Sequence, residues 1–376
     1  MVQVRRRRDP ERTREVLASW FGRRLGADVT VEDYEVPANG FSNETICVRL
    51  AYEIPSGRRR ERFVVRVGPT DHQLFLHADV FRQWDVMAAL AATSDVPVPP
   101  LQWRETDASV LGAPFYVMGH VEGRIPPDLP SYHEAGWVTM LRPGERSRMI
   151  DNALVALAHV HRTPWQPFAF LAADDRTADS LGALVTDVEA SFAWAARGRS
   201  YPIQERALRH LRDARPDSPP ISLLWGDCRI GNVVFGDDLG VRSVLDWEMA
   251  ALGPAEADLA WWLMMERRWT EGRGVPRLPG VPDRDEIISR YQTLLGRPLG
   301  DLHYYEVLAA LRLSVVMIRT NDNLAEYGVL PADHTVGQAN PITQHLASLV
   351  GLPVPELSPQ FSASIAALHG GHDVAS

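Results

Sequence analysis

LLWGDCRIGNVVF, Leu223 to Phe235, decides how the rest of this chain is read. An apolar run ends in Trp-Gly-Asp, and Asn232 follows Asp227 by five residues. Gly226 permits a sharp change of backbone direction just ahead of Asp227. Val233 to Phe235 reads as a short strand, and GDDLG (Gly236 to Gly240) as the tight turn that leads into SVLDWE, Ser243 to Glu248. Asp227, Asn232, Asp246 and Glu248 therefore fall within a single strand-turn-strand unit. An aspartate and an asparagine at this spacing suit phosphoryl transfer. One carboxylate orients a hydroxyl nucleophile and accepts its proton, while an amide oxygen and a second carboxylate hold Mg²⁺ on a nucleoside triphosphate.

Taken singly, each residue has a plainer reading. Asp227 alone is a turn aspartate capping its own backbone; with Asn232 and the DWE stretch downstream it is the candidate catalytic base. Asn232 and Asp246 are the candidate metal ligands, oxygen donors of the kind a hard cation prefers. Asp246 and Glu248 are two apart, so in extended chain they point the same way. Like carboxylates repel unless a cation lies between them, which makes Glu248 a third metal candidate or a structural group. Asp258, in GPAEADLAWW, is expected to brace the loop from the helix that follows. Cys228 sits beside a carboxylate that raises a thiol's pKa, so it is expected to be inert. His159 and His161 are expected to pack, and with dispersed His and two Cys no zinc site is indicated.

Outward from this stretch the chain divides into a basic tail and amphipathic helix (1–28), a β-rich segment (29–121) and a mainly helical remainder (122–370). Val16, Leu17, Trp20, Phe21 and Leu25 make one face of a helix over 10–25. Glu44–Leu50, Arg62–Val67 and Pro114–Gly119 read as strands, with EIPSGRRRE as a hairpin loop between the first two. His72–Ala91 reads as a helix closed by Pro97, Pro99 and Pro100. Later helices are expected near 148–161, 180–196, 203–213, 256–268, 284–296, 302–319 and 338–350. In the β-rich part, Gly40, Ser42 and Asn43 can present backbone N–H groups to phosphates. Arg66 in RFVVRV can pair with nucleotide phosphates. Met118, His120 and Val121 form the candidate hinge, whose backbone can meet a nucleotide base. A nucleotide would sit in the cleft between the two parts.

Composition narrows the chemistry. All 39 residues counted as Lys plus Arg are Arg. That excludes a Schiff-base lysine, a Walker A lysine and a Ser-x-x-Lys nucleophile. The net charge of −9 argues against nucleic-acid binding. The acid excess lies after residue 122, with 23 Arg against 31 Asp and Glu, and points to a cationic or neutral substrate there. Arg5 to Arg8 is read as a solvated tail. Two cysteines suit a reducing cytoplasm. No apolar run reaches membrane-spanning length, and the one at 307–318 is interrupted by Arg312.

GFSNET, RFVVRVGP, FRQWDVMAAL with VPVPP, PFYVMGHVEGR, LLWGDCRIGNVVF and LDWEMAALGPAEADLAWW occur in this order. Together, over about residues 15–320, the chain resembles the aminoglycoside phosphotransferase and choline kinase-like family. The second half is similar to the kinase domain of acyl-CoA dehydrogenase fusion proteins. The resemblance implies an α+β protein kinase-like bilobal fold, ATP or GTP with Mg²⁺, and a small-molecule hydroxyl acceptor, either an aminoglycoside or a hydroxyacyl or other metabolite alcohol. Three positions depart from the family pattern. Trp225 stands where a His is usual, Arg66 where a strand Lys is usual, and Gln83 where its helix Glu partner is usual. Those departures motivate an alternative, a nucleotide-binding pseudokinase without turnover. Neither the acceptor nor the oligomeric state follows from these residues.

Overall fold

The computed structural model describes residues 8–37, 43–69, 73–172, 179–217 and 219–364. Helix α1 (Pro10–Leu25) opens with Asp9, whose carboxylate accepts from the backbone N–H of Glu11 and Arg12, and closes at Gly26 in the left-handed region at φ 63°. Its Leu17, Trp20 and Phe21 are buried against one face of a five-stranded antiparallel sheet. The sheet comprises β1 (Val29–Glu35), β2 (Glu44–Ile54), β3 (Gly57–Val67), β4 (Leu101–Glu105) and β5 (Phe115–Gly119), in the order β1-β2-β3-β5-β4. Alternation assigns the faces. Ile46, Val48, Leu50, Phe63, Val65, Val67, Phe115 and Val117 meet α1, whereas Arg66 and Tyr116 occupy the other face.

That other face receives helix α2 (Val80–Thr93), which Asp79 caps by accepting from the Phe81 N–H at 2.8 Å. The cap explains why the helix starts at 80 rather than 72. The β2–β3 hairpin is also tighter than its sequence implied. Ile54 pairs with Gly57, so the loop is Pro55-Ser56, and the arginines continue the strand. Arg58 and Arg60 are tied there by Glu32 of β1 at 3.1 and 3.0 Å. Strand β4 was missed altogether. It is a short edge strand of half-exposed residues behind a proline run, and such strands carry little apolar alternation. The short helix α3 (Ala108–Leu111) links β4 to β5.

The rest is helical apart from two small strand pairs. In order come α4 (Pro143–Arg162), α5 (Ser180–Ala196), α6 (Pro202–Asp213), β6 (Ser222–Leu224), β7 (Val233–Phe235), β8 (Val241–Val244), β9 (Ala251–Gly253), α7 (Ala255–Trp269), α8 (Arg284–Leu295), α9 (Leu302–Glu326) and α10 (Pro341–Leu349). A second core runs through all of this part and reaches Val86, Met87, Leu90, Tyr116 and Met118, so α2 and the inner face of β5 pack into it. β6 pairs with β9, and β7 with β8. These two ribbons hold LLWGDCRIGNVVF and SVLDWE side by side. Among the described residues, no helix is long and apolar enough to cross a membrane.

Candidate active site

The loop after β6 turns at Gly226, where φ is 90° and an added Cβ would lie 2.0 Å from the Met249 carbonyl oxygen. Only glycine satisfies both constraints. The turn is braced from below by Asp258 in the first turn of α7. This fully buried carboxylate accepts from the backbone N–H of Trp225 at 2.7 Å and of Gly226 at 3.1 Å. His161 Nε2 donates to the same carboxylate at 3.0 Å, and its Nδ1 accepts from the Tyr291 hydroxyl. The brace expected of Asp258 is thus observed, and His161 is packed as part of it. Trp225 is also fully buried. Its indole N–H donates to the Leu245 carbonyl at 2.7 Å, tying the first motif stretch to the second. The unusual residue at 225 therefore serves the scaffold and does not face the cleft.

Above the brace, Asp227 is held by three donors. Trp261 Nε1 reaches Oδ1 at 3.0 Å, while Arg229 Nε and Asn232 Nδ2 reach Oδ2 at 2.9 and 2.8 Å. Asn232 also donates to the Asp227 carbonyl at 3.0 Å. With its nitrogen committed to Asp227, the Asn232 amide turns its oxygen the other way. Asp227 keeps acceptor capacity on Oδ1, which takes a single donor.

Asp246 lies past the end of β8 with φ 62°, a left-handed conformation. The extended-chain reason for pairing Asp246 with Glu248 therefore fails, yet both carboxylates reach the same cation. Arg66 Nη2 is 3.1 Å from Asp246 Oδ1 and 3.9 Å from Glu248 Oε2. Asn43 donates to Glu248 Oε2 at 2.8 Å. Arg66 also donates to Thr45 Oγ1 at 2.7 Å and, at the long limit of 3.5 Å, to Gln83 Oε1. Its side chain is only 11% exposed, which removes the reading of a solvated surface arginine. Burial raises the Asp246 pKa; Arg66 opposes that shift and the like charge of Asp227 adds to it.

Gly40 and Ser42 lie outside the described residues. At the hinge, Met118 is interior to β5, paired with Val64 and Leu101. The His120 N–H donates to the Arg62 carbonyl at 3.1 Å, so it is spent within the protein. Among the described residues the Val121 N–H makes no backbone hydrogen bond. Cys228 is fully buried with its thiol against the Asp258 carbonyl at 2.9 Å; burial, then Asp258 and Asp227, push its pKa well up.

Sequence reasoning passed over three neighbours of Asp227. Arg229 bridges Asp227 and Asp128, the latter in the loop after β5. Burial opposes its charge, but Asp227 and Asp128 outweigh it and raise its pKa. Trp261 orients Asp227, and Arg312 of α9 stacks over Trp261 at 5.1 Å. Arg229 stands two residues after Asp227, a cation next to a catalytic-loop carboxylate, and that spacing was the available signal. Asp128 and Trp261 come from distant segments and left none. Around this site the charges are mixed: Arg229, Arg268 and Arg312 lie among Asp227, Asp128 and Asp258.

The donor set discriminates among metals. Among the described residues, no three His, Cys, Asp or Glu side chains converge as a metal cage. Asn232 and Asp246 offer oxygens only, the pattern that suits Mg²⁺ completed by water and phosphate and that disfavours zinc.

Residues 33–295, more than half of the chain, match the APH family, described as the phosphotransferase enzyme family. Among curated proteins, the chain is 28% identical over 288 residues to acyl-CoA dehydrogenase family member 11 of Homo sapiens, covering 73% of this chain and 33% of that protein. It is 26% identical over 291 residues to acyl-CoA dehydrogenase family member 10 of Mus musculus, covering 74% and 25%. The chain thus spans a quarter to a third of the length of these relatives. Among solved structures, it superposes with TM-score 0.65 and 23% identity on a Ralstonia eutropha protein assigned to the aminoglycoside phosphotransferases, covering 90% of this chain and 98% of that one. A macrolide 2′-phosphotransferase from Brachybacterium faecium gives TM-score 0.52 at 15% identity, covering 91% and 100%. A thermostable aminoglycoside phosphotransferase variant, solved with ADP and hygromycin B, gives 0.55 at 12%, covering 89% and 98%. At such identities the structural likeness establishes the bilobal kinase-like fold, and the family match supplies the rest: this chain belongs to the APH family of phosphotransferase enzymes.

Proposed function

We propose that the chain moves the γ-phosphoryl group of ATP or GTP to a hydroxyl of a small molecule. The observation that carries this reading is the pairing of Asn232 with Asp227, which orients one carboxylate and commits the amide nitrogen, leaving the amide oxygen for a cation. Asp227 takes the proton of the acceptor hydroxyl as that oxygen bonds to the γ-phosphorus. The bond from phosphorus to the bridging oxygen breaks, and the nucleoside diphosphate leaves with the electron pair. Asn232 and Asp246, with Glu248 behind them, would hold Mg²⁺, which when bound neutralises triphosphate charge. Arg66 stands where it can exchange its carboxylate partners for phosphate oxygens, and Val121 offers an N–H to the base. Asn43, which donates to Glu248, belongs to the same nucleotide side. The chemistry is mainly positioning and electrostatics.

The acceptor hydroxyl belongs to an aminoglycoside or to a hydroxyacyl or other metabolite alcohol; the charges around Asp227, where Arg229 is paired with Asp227 and Asp128, favour neither. The pseudokinase alternative keeps one specific support: Gln83 Nε2 is buried without a partner, so the Arg66–Gln83 contact is a poor substitute for an ion pair. Asp227→Ala separates the two readings. Turnover, measured as nucleoside diphosphate release with an alcohol panel, is expected to fall by about 10³-fold, with Mg·nucleotide affinity kept within twofold. Nucleotide binding without diphosphate release by the unsubstituted protein would establish the pseudokinase instead.

A further inference from the structure

Asp227 is one end of a row of three charged side chains, Asp227, Arg229 and Asp128. Arg229 Nε donates to Asp227 Oδ2 at 2.9 Å, and its Nη1 donates to Asp128 Oδ2. All three side chains are largely enclosed, 14% exposed at Asp227 and 18% at Arg229 and Asp128. One planar guanidinium thus meets two carboxylates through separate donors, which sets where both stand around it. The pair fills the space beside the catalytic loop. A Cβ on Gly231 would lie 2.5 Å from Asp128 Oδ1 and would also run into Arg229 Nη1, so the two side chains lie across the bare face of that glycine.

Asp128 is anchored through the chain on both sides of it. Before it, Arg124 and Phe235 of β7 exchange backbone hydrogen bonds at 2.8 and 2.9 Å. After it, the Ser131 hydroxyl donates to the Trp269 carbonyl at 3.1 Å and the Tyr132 hydroxyl donates to Glu266, both in α7. The guanidinium that Asp128 grips is anchored with it, and the consequence falls on Asp227. Its Oδ2 takes two donors, Arg229 Nε at 2.9 Å and Asn232 Nδ2 at 2.8 Å, whereas Oδ1 takes only Trp261 Nε1 at 3.0 Å. A carboxylate oxygen accepts about two hydrogen bonds, so Oδ2 is filled and Oδ1 keeps one place. The two oxygens are equivalent on a free carboxylate; here their donors make them different.

We propose that Asp128 and Arg229 are positioning residues for the transfer step: Asp128 anchors Arg229, and Arg229 holds Asp227 so that Oδ1 is the oxygen presented to the acceptor hydroxyl. Neither touches the reacting atoms. Oδ1 takes the hydroxyl proton as the bond from oxygen to phosphorus forms, while Oδ2 stays bonded to Arg229 and Asn232. Without the clasp the carboxylate turns more freely about its Cβ–Cγ bond, and the oxygen with room for a proton is no longer aimed. Asn232 and Trp261 remain as donors, so the loss is smaller than that of removing Asp227 itself. The inference rests on the phosphotransferase reading for the proton that Asp227 takes; the geometry of the clasp stands apart from it.

The test reads the geometry of Asp227 through the indole N–H of Trp261, by NMR of the full chain carrying isotopically labelled tryptophan, with the signal assigned by Trp261→Phe. In Arg229→Gln and Asp128→Asn that proton is expected to move upfield as its bond to Oδ1 weakens, while the other indole signals keep their positions. Arg229→Lys is expected to return it part of the way. Gly231→Ala displaces the clasp without removing a charge, so it gives the same upfield movement and serves where Arg229→Gln fails to fold. Nucleoside diphosphate release, with water or a turned-over alcohol as acceptor, is expected to lose tenfold or more in kcat in Arg229→Gln and less in Arg229→Lys, with KM for Mg·ATP within twofold. An unmoved Trp261 signal in the folded variants, or a moved signal with unchanged kcat, would overturn the proposal. So would movement of every indole signal, which would give the three residues to the fold, or a tenfold rise in KM with Trp261 unmoved, which would give Arg229 to the triphosphate. If the unsubstituted protein binds Mg·ATP and releases no diphosphate, the phosphotransferase reading fails, and the Trp261 signal still decides whether the clasp sets the geometry of Asp227.

Discussion

Two arginines, one on the sheet and one on a helix of the later part, differ in their surroundings. Arg66, on β3, is enclosed by Thr45, Gln83, Asp246 and Glu248 within 3.9 Å. Arg268, on α7, has a sulfur and an aromatic ring. The first is a completed electrostatic unit in the ligand-free protein, so a Mg·triphosphate entering that side exchanges partners rather than neutralising a bare charge. The second is half-buried and, among the described residues, makes no salt bridge. On the reading proposed above, the nucleotide side is prepared for a charge-neutral swap.

The largest test of this contrast is Asp246→Ala. Removing the carboxylate takes away a proposed metal oxygen and leaves Arg66 buried beside a more distant Glu248. Loss of one member of a buried pair costs about 3 kcal/mol, and since Asp246 is 22% exposed the expected stability loss is nearer 2 kcal/mol. Mg·nucleotide affinity is expected to fall by at least thirtyfold. Denaturant melts and nucleotide titration measure both. If stability holds and only affinity falls, the Arg66–Asp246 pair is not the completed unit described here.

A pH series probes the helical part, where His345 lines a cavity between α7, α9 and α10 beside Arg267. Burial, and then Arg267, lower its pKa from 6.5 to about 4. Between those values the unfolded chain binds a proton that the folded chain refuses. The stability contributed by neutral His345 is therefore full above pH 6.5 and is lost as the pH falls toward 4. Linkage puts the effect at about 2 kcal/mol after allowance for partial exposure. The urea midpoint should drop over this window in the native sequence and drop less in His345→Gln. Parallel profiles would show that His345 is freely solvated and that the cavity wall is looser than its geometry.

Much of the nucleotide half was legible in the sequence because its residues are close in the chain or sit on a strand with clear alternation. Asp227, Asn232, Asp246 and Glu248 span two adjacent ribbons, and Arg66 follows from the pattern of RFVVRV. The reason given for Asp246 was nonetheless wrong, since its positive φ cannot be read from LDWE. The helical surroundings of Asp227 were far less legible. Arg268 sits in the run MMERRW, where two adjacent arginines look alike; only packing shows that Arg267 finds Glu271 and Arg268 finds Met317. Arg312 appeared in the sequence only as an interruption of an apolar helix, and Trp261 as one of many core aromatics. Their roles depend on contacts across dozens of residues, and one-dimensional spacing carries no signal for those.

The finest test is Arg66→Lys, which alters one member of the completed unit without removing its charge. A guanidinium spans Thr45 at 2.7 Å, Asp246 at 3.1 Å and Gln83 at 3.5 Å because its donors are spread over a planar fork. An ammonium concentrates its donors at one point on a shorter reach. It can keep Asp246 but not Thr45 and Gln83 together, and Gln83 would then have both ends of its amide poorly satisfied apart from Tyr116, which donates to Oε1 at 3.2 Å. One lost hydrogen bond of this kind costs about 1 kcal/mol, so a small drop in melting midpoint is expected, with Mg·nucleotide affinity within threefold of the native value. A tenfold loss of affinity with unchanged stability would mean that the fork, rather than the metal oxygens, carries the triphosphate. A gain in affinity would mean that the Thr45 and Gln83 contacts hold the cation back from the phosphates, and that the ligand-free unit competes with its ligand.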